Sequence, residues 1–158
     1  MIFLAVGTQL PFDRLVETVD HWAGRSGREV FAQIGETTLQ PKHIRWAPHV
    51  APETFRESVR DASLVISHAG MGSILTALEF GKPILVMPRR AALREHRNDH
   101  QVSTARWLEA RGSVAVAPDE QALAQRLERI DELEAPGQIS RWASSSLLSS
   151  ISEFVAES

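Results

Sequence analysis

Leu64-Val65-Ile66-Ser67-His68-Ala69-Gly70-Met71-Gly72-Ser73-Ile74-Leu75-Thr76-Ala77-Leu78-Glu79-Phe80-Gly81-Lys82-Pro83-Ile84-Leu85-Val86-Met87-Pro88 decides the fold. Leu64–Ser67 is a short apolar run of the length of a buried strand. His68–Ser73 is a loop of small residues. Ser73–Phe80 reads as a helix, closed by Gly81 and kept from continuing by Pro83. Ile84–Met87 is apolar again and stops at Pro88. Two strands bracketing one helix at this spacing form a parallel pair with a right-handed crossover.

The same alternation extends both ways. Upstream, Ile2–Val6 reads as a buried strand. Phe12, Leu15, Val16, Val19, Trp22 and Ala23 then follow helical spacing up to Gly24 and Gly27. Glu29–Ile34 is a second strand, Ile44–Trp46 a short third, and Pro52–Asp61 a helix with proline in its first turn. Downstream, Glu95–Arg111 is expected as a helix with Val102, Ala105 and Leu108 inward. Val114–Val116 is a last strand, and Asp119 caps a helix to about Ile130. Pro136-Gly137 breaks the chain before an amphipathic, serine-rich helix over about 139–155. The alternation predicts an α/β, doubly wound parallel sheet of Rossmann-like type, with helices on both faces. Residues 1–158 read as a single domain, with no internal repeat and no linker.

The 158 residues are 43% hydrophobic and 23% charged, with a formal net charge of −3. These are ordinary globular values and give no drive toward nucleic acid. Cysteine is absent, so disulfides and thiolate metal sites are excluded. No apolar run reaches the roughly 18–20 residues that span a bilayer. The start lacks a basic leader, so a cytoplasmic protein is expected. No Gly-x-Gly-x-x-Gly follows the first strand, and there is no phosphate-binding Gly-x-x-x-x-Gly-Lys-Ser/Thr loop. There is no Gly-x-Ser-x-Gly elbow and no Asp-x-Asp. His21, His43 and His96 read as surface residues. Trp22, Trp46, Trp107 and Trp142 read as core or interface.

Ligands of such sheets bind beyond the carboxyl ends of the strands. Gly7-Thr8-Gln9, His49-Val50, His68–Ser73 and Pro88–Gln101 all follow strands and so converge on one edge. Gly7, Thr8 and Gln9 offer backbone, hydroxyl and amide to phosphate oxygens, or simply a tight turn. His68, Ala69, Gly70, Met71, Gly72 and Ser73 expose backbone N–H groups at a helix start, where an anion is favoured. Ser73 could equally cap that helix. Asn98, Asp99, His100 and Gln101 carry donors and acceptors suited to sugar hydroxyls, or form a solvated first turn. Arg89, Arg90, Arg94 and Arg97 are possible anion contacts, or a solvated charge run. The edge therefore suits a phosphate-bearing, hydroxyl-rich ligand.

Val6–Asp13, His68–Ser73, Gly81-Lys82-Pro83 and Asn98–Gln101 resemble the C-terminal, donor-binding domain of family 28 glycosyltransferases, across roughly Met1 to Gly112. The likeness is strongest to the small catalytic subunit of two-component transferases. These include the bacterial exopolysaccharide (glucuronosyl)transferases and the dolichol-linked N-acetylglucosaminyltransferase. It implies a fold equivalent to the C-terminal half of a GT-B glycosyltransferase and a UDP-sugar donor. It implies that Gly7, Thr8 and Gln9 face the phosphates and that His49 and Val50 give backbone contacts to uracil. Gly70 to Ser73 would hold the diphosphate, with Gly72 and Ser73 stabilising the leaving group. His100 and Gln101 would bond the transferred sugar. Thr76 stands where the resemblance implies a ribose-binding glutamate, with Glu79 one turn later.

The activity so implied is inverting transfer of a hexose or hexuronic acid to a polyprenyl-diphosphate-linked sugar in exopolysaccharide biosynthesis, with no cofactor and no metal. The acceptor site and the general base are expected on a membrane-anchored partner subunit, which would hold this chain at the cytoplasmic membrane face. The helix at about 139–155 could dock that partner or pack on its own sheet. The alternative is a non-catalytic nucleotide-sugar-binding regulatory module.

Overall fold

The computed structural model describes residues 1–112 and 114–133. The helix expected at about 139–155 lies outside them. The elements are β1 (Ile2–Ala5), α1 (Asp13–Ser26), β2 (Val30–Gln33), β3 (Arg45–Ala47), α2 (Pro52–Asp61), β4 (Leu64–His68), α3 (Met71–Glu79), β5 (Ile84–Met87), α4 (His100–Ala110), β6 (Ala115–Val116) and α5 (Glu120–Glu128). Short 3-10 turns cover Ala91–Leu93 and Ile130–Glu132.

The sheet runs β3-β2-β1-β4-β5-β6, and every pair is parallel. From β1 the chain winds outward one way through α1 to β2 and β3. From β4 it winds the other way through α3 to β5 and β6. The order reverses between β1 and β4, which pair with Ala5 opposite Ser67. At such a reversal the two following loops splay apart and leave a crevice.

The apolar pattern of the strands explains the layers. Side chains alternate across a strand, so Ile2, Leu4 and Val6 enter one core with Leu15, Val16, Val19 and Trp22 of α1 and Leu123 and Leu127 of α5. Phe3 and Ala5 enter the opposite core with Val59 of α2, Ile74 and Ala77 of α3 and Leu108 of α4. Both faces of the central strands are dry, as a parallel sheet requires. Among the tryptophans, Trp22 is core and Trp46 is exposed on edge strand β3. Among the described residues, no helix is long and apolar enough to cross a membrane.

Two expected boundaries are corrected. α4 begins at His100 rather than Glu95. Glu95 is buried, and its carboxylate accepts from the Arg90 backbone N–H at 3.1 Å and from Arg14 at 2.8 Å. Asp99 Oδ1 accepts from the Ala91 N–H at 3.0 Å, and Asn98 Oδ1 from the His100 N–H at 2.9 Å. These side-chain bonds satisfy the backbone as a loop and hold off the helix. α3 begins at Met71 with Gly70 as its N-cap, so Ser73 lies inside the helix and does not cap it. Asp119 does cap α5, accepting from the Ala122 N–H at 2.8 Å.

Candidate functional site

A cleft of about 780 Å³ opens at the β1/β4 reversal. That is in the range of small-molecule sites. Its floor is the N-terminus of α3. No side chain caps this helix, and its first internal bond is from Ile74 N–H to Gly70 O at 3.2 Å. The N–H groups of Met71, Gly72 and Ser73 therefore have no partner within the helix. The aligned peptides add roughly half a positive charge there.

The loop after β1 forms one wall. Gly7 has φ +80°, a left-handed backbone that a side chain would strain. A Cβ on Gly7 would also sit 2.6 Å from Cε1 of His68, and one on Gly70 only 2.1 Å from the same atom. The imidazole thus fills the space between two glycines from the loops that follow β1 and β4. The same crowding explains why residue 70 cannot carry a capping side chain.

Buried polar side chains fasten the loops around this cleft. Gln33 Oε1 accepts from the N–H of Gly7 at 3.1 Å, and its Nε2 donates to Gly7 O at 2.9 Å and Pro48 O at 3.0 Å. It ties the β1 loop to the loop carrying His49 and Val50. Arg89 is 1% exposed, and its guanidinium donates to the carbonyls of Val6, Leu10 and Glu95. It also lies 5.0 Å from the centre of the Phe12 ring. Burial pushes its pKa down to about 10, so it remains a cation at neutral pH. Gln101 accepts from the Arg89 N–H at 3.1 Å and contacts Nδ1 of His68 at 3.1 Å. Burial first, then the Arg89 and His96 charges, push His68 down to about 3, so its ring is neutral near pH 7.

Of the residues expected at the site, the structure brings Gly7, Thr8, Gln9, Val50, His68, Ala69, Gly70, Met71, Gly72, Ser73, Thr76, Arg89, His100 and Gln101 to this cleft. His49 is not among the cleft-lining residues, and its side chain hydrogen-bonds Glu36 at 2.6 Å. Asn98 and Asp99 are engaged with backbone N–H groups of their own loop. Arg90 donates to Pro118 O, while Arg94 and Arg97 are exposed outside the cleft. Arg89 reaches the cleft wall, but its guanidinium is committed to carbonyls rather than left open to an anion. Thr76 Oγ1 donates to Gly72 O at 2.7 Å. Glu79 is held bidentately by Arg56 at 3.0 and 3.1 Å, which depresses its carboxyl pKa.

Sequence reading missed Gln33, Pro52, Phe55, Arg56, His96 and Thr104. His96, expected at the surface, lines the cleft. Gln33 had a visible signal, a polar residue ending an apolar strand. Phe55 and Arg56 had none, because they reach the cleft from the first turns of α2. Among the described residues, no carboxylate lines the cleft.

The model of the Glycosyltransferase family 28 C-terminal domain matches residues 1–142. The UDP-N-acetylglucosamine transferase subunit ALG13 of Mus musculus is 32% identical over 123 residues, which is 71% of this chain and 10% of that protein. The subunit of the same name from Yarrowia lipolytica is 26% identical over 136 residues, 75% of this chain and 65% of that protein. The chain thus spans a small part of the mouse relative. An NMR structure of ALG13 superposes with a TM-score of 0.65 at 21% identity, covering 93% of each chain. MurG of Acinetobacter baumannii superposes with a TM-score of 0.62 at 17% identity, over 96% of this chain and 49% of that one. The architecture is thus the α/β, Rossmann-like half of a GT-B glycosyltransferase, as the resemblance implied.

Proposed function

The chain belongs to the glycosyltransferase family 28 C-terminal domain family, and from that premise we propose that it is the donor-binding subunit of an inverting UDP-sugar transferase. One observation carries the reading: the uncapped N-terminus of α3 faces Gly7 and a neutral His68 in one cleft, at the strand-order reversal. This arrangement suits a diphosphate. As the acceptor hydroxyl attacks the anomeric carbon, charge grows on the departing UDP. The N–H groups of Met71, Gly72 and Ser73 are already aimed where that charge develops, so little reorganisation is needed. The reaction so drawn requires no metal.

The acceptor in this proposal is a polyprenyl-diphosphate-linked sugar. Relatives named as UDP-N-acetylglucosamine transferases support a UDP-sugar donor. Another named relative, from Rubrobacter xylanophilus, has a pyrophosphoryl-undecaprenol acceptor in its name, which supports a lipid-linked one. The exopolysaccharide setting and a glucuronate donor rest on resemblance. With no carboxylate lining the cleft among the described residues, the base that deprotonates the acceptor is assigned to a membrane-anchored partner subunit, which would also hold this chain at the cytoplasmic face.

Calorimetry with UDP, UDP-N-acetylglucosamine, UDP-glucose and UDP-glucuronate tests donor binding. Transfer to a lipid-linked saccharide, with and without the partner, tests catalysis. UDP binding without turnover in either case would favour the regulatory-module reading, and no UDP binding at all would end both.

A further inference from the structure

Arg14 stands in the first turn of α1, on the face of the sheet opposite to α2, α3 and α4. Its guanidinium is spent on two carboxylates from distant parts of the chain. Nε and Nη2 donate to the two oxygens of Glu95 at 3.1 and 2.8 Å, and Nη1 donates to Glu120 at 2.8 Å. The Arg14 and Glu95 side chains are only 15% and 9% exposed. A bidentate pair so shielded fixes direction as well as distance.

Glu95 has no polar group to spare. Its carboxylate also accepts from the Arg90 N–H, its own N–H donates to Arg90 O at 3.2 Å, and its carbonyl accepts from the Arg89 guanidinium at 3.0 Å. These bonds close a tight loop over residues 90–95. Arg94 inside it has φ +58°, the one left-handed non-glycine among the described residues. Such a backbone persists where its surroundings over-determine it, and here Glu95 supplies the determining contacts. The next residue is His96, which lines the cleft. Its Nδ1 accepts from the Asn98 N–H at 3.4 Å, so the ring proton sits on Nε2. Among the described residues, Nε2 has no partner.

α2, α3 and α4 follow one another on the same face of the sheet. The cleft wall on the α2 side carries Val50, Pro52 and Phe55, which suit a flat apolar ring. The wall on the α4 side carries His96, His100 and Thr104, which suit hydroxyls. We infer that His96 is a donor-sugar contact of this chain, offering its Nε2–H to a sugar oxygen, and that the Arg14–Glu95 pair is the positioning device that holds it on the cleft wall. The inference rests on the nucleotide-sugar reading above. It adds a residue to the sugar contacts that resemblance implied, and it makes a residue of α1, across the sheet, a determinant of sugar affinity.

Calorimetry of the full chain with UDP and with the three UDP-sugars named above is the test. His96→Phe keeps a ring and removes the donor. Glu95→Gln keeps the volume, but whichever way its amide turns, an NH2 faces an N–H of Arg14 or Arg90. In each variant the affinity for the UDP-sugar that wild type prefers should fall about three- to tenfold, the loss of one hydrogen bond. UDP affinity should stay within about twofold. Because Glu95 acts through His96, adding Glu95→Gln to His96→Phe should weaken sugar binding no further. An imidazole nitrogen NMR spectrum of the ligand-free chain, labelled at histidine, reads the same device without nucleotide. At about pH 8, where an ordinary histidine is neutral, wild-type His96 should be the Nε2–H tautomer. In Glu95→Gln the Nδ1–H form should appear beside it.

Equal losses for UDP and the UDP-sugar in Glu95→Gln would make the pair merely structural and overturn the inference. So would unchanged sugar binding in His96→Phe, a Glu95→Gln effect that persists in the double variant, or a His96 spectrum that Glu95→Gln leaves unaltered. A wild-type chain that binds neither UDP nor a UDP-sugar would overturn the functional reading instead, and the ligand-free spectra would still decide whether Glu95 positions His96.

Discussion

Replacing Gln33 with leucine isolates the loop fastening from the chemistry. Gln33 touches no ligand in the proposed reaction. Its amide bonds Gly7 N–H at 3.1 Å, Gly7 O at 2.9 Å and Pro48 O at 3.0 Å. Leucine fills a similar volume, so the cavity cost is small. Two of the backbone groups survive the change. Val6 N–H still donates to the Gln33 backbone carbonyl at 3.2 Å, and Pro48 O still accepts from Gly35 N–H at 2.9 Å. The N–H and carbonyl of Gly7 lose the partners described for them. Each orphaned group costs about 1–3 kcal/mol, and Gly7 is only half-buried, so the low end applies and the sum is about 2 kcal/mol. With a urea slope of about 2 kcal/mol per molar, the unfolding midpoint should drop by about 1 M. UDP affinity should weaken by roughly three- to tenfold, because the β1 loop must then be ordered on binding. Urea denaturation and calorimetry measure the two effects. A midpoint within about 0.3 M of wild type would refute the hydrogen-bond accounting. A lowered midpoint with unchanged UDP affinity would refute the positioning role.

Gly70→Ala should leave the backbone of α3 unstrained but drive a methyl to 2.1 Å from the His68 ring. The ring must move, so UDP binding by calorimetry should fall more than about tenfold, with a smaller change in melting temperature. Asp119→Ala removes the cap on Ala122 N–H and should cost about 1 kcal/mol, lowering Tm by roughly 2–4 °C without affecting UDP binding. The fold should also lose stability in mild acid. His68 is held down to about 3 in the folded chain against 6.5 when unfolded, so the unfolded state takes up the proton first as pH falls. This contribution is full above the unfolded value. It should shrink by about 2 kcal/mol between pH 7 and pH 5. Urea unfolding at both pH values should show that loss in wild type and a smaller one in His68→Gln.

The layers of the fold were legible because burial on both faces of a sheet leaves a mark in the sequence. Ile2–Val6, Leu64–Ser67 and Ile84–Met87 are continuous apolar runs, and Gly81 with Pro83 forces the turn between α3 and β5. Helix starts were less legible where side chains compete with the backbone. Glu95 looked like the first turn of a helix, yet its carboxylate pairs with Arg14, distant in sequence. Ser73 looked like a cap, yet α3 starts at Met71 with Gly70 as its N-cap, where the His68 ring leaves no room for a side chain.

The sequence by itself determined the alternation of strand and helix, the absence of thiolate and Walker chemistry, and the placing of Gly7 and His68–Ser73 at strand ends. These are properties of neighbouring residues, and local sterics and periodicity encode them. Only the tertiary structure decided how those loops are joined. Arg89 and Gln101 carry the same polar groups whether they face a ligand or the protein's own partners, which are carbonyls for Arg89 and the Arg89 N–H and His68 ring for Gln101. Which they face depends on β1 and β4 pairing side by side, a long-range contact that no local pattern records.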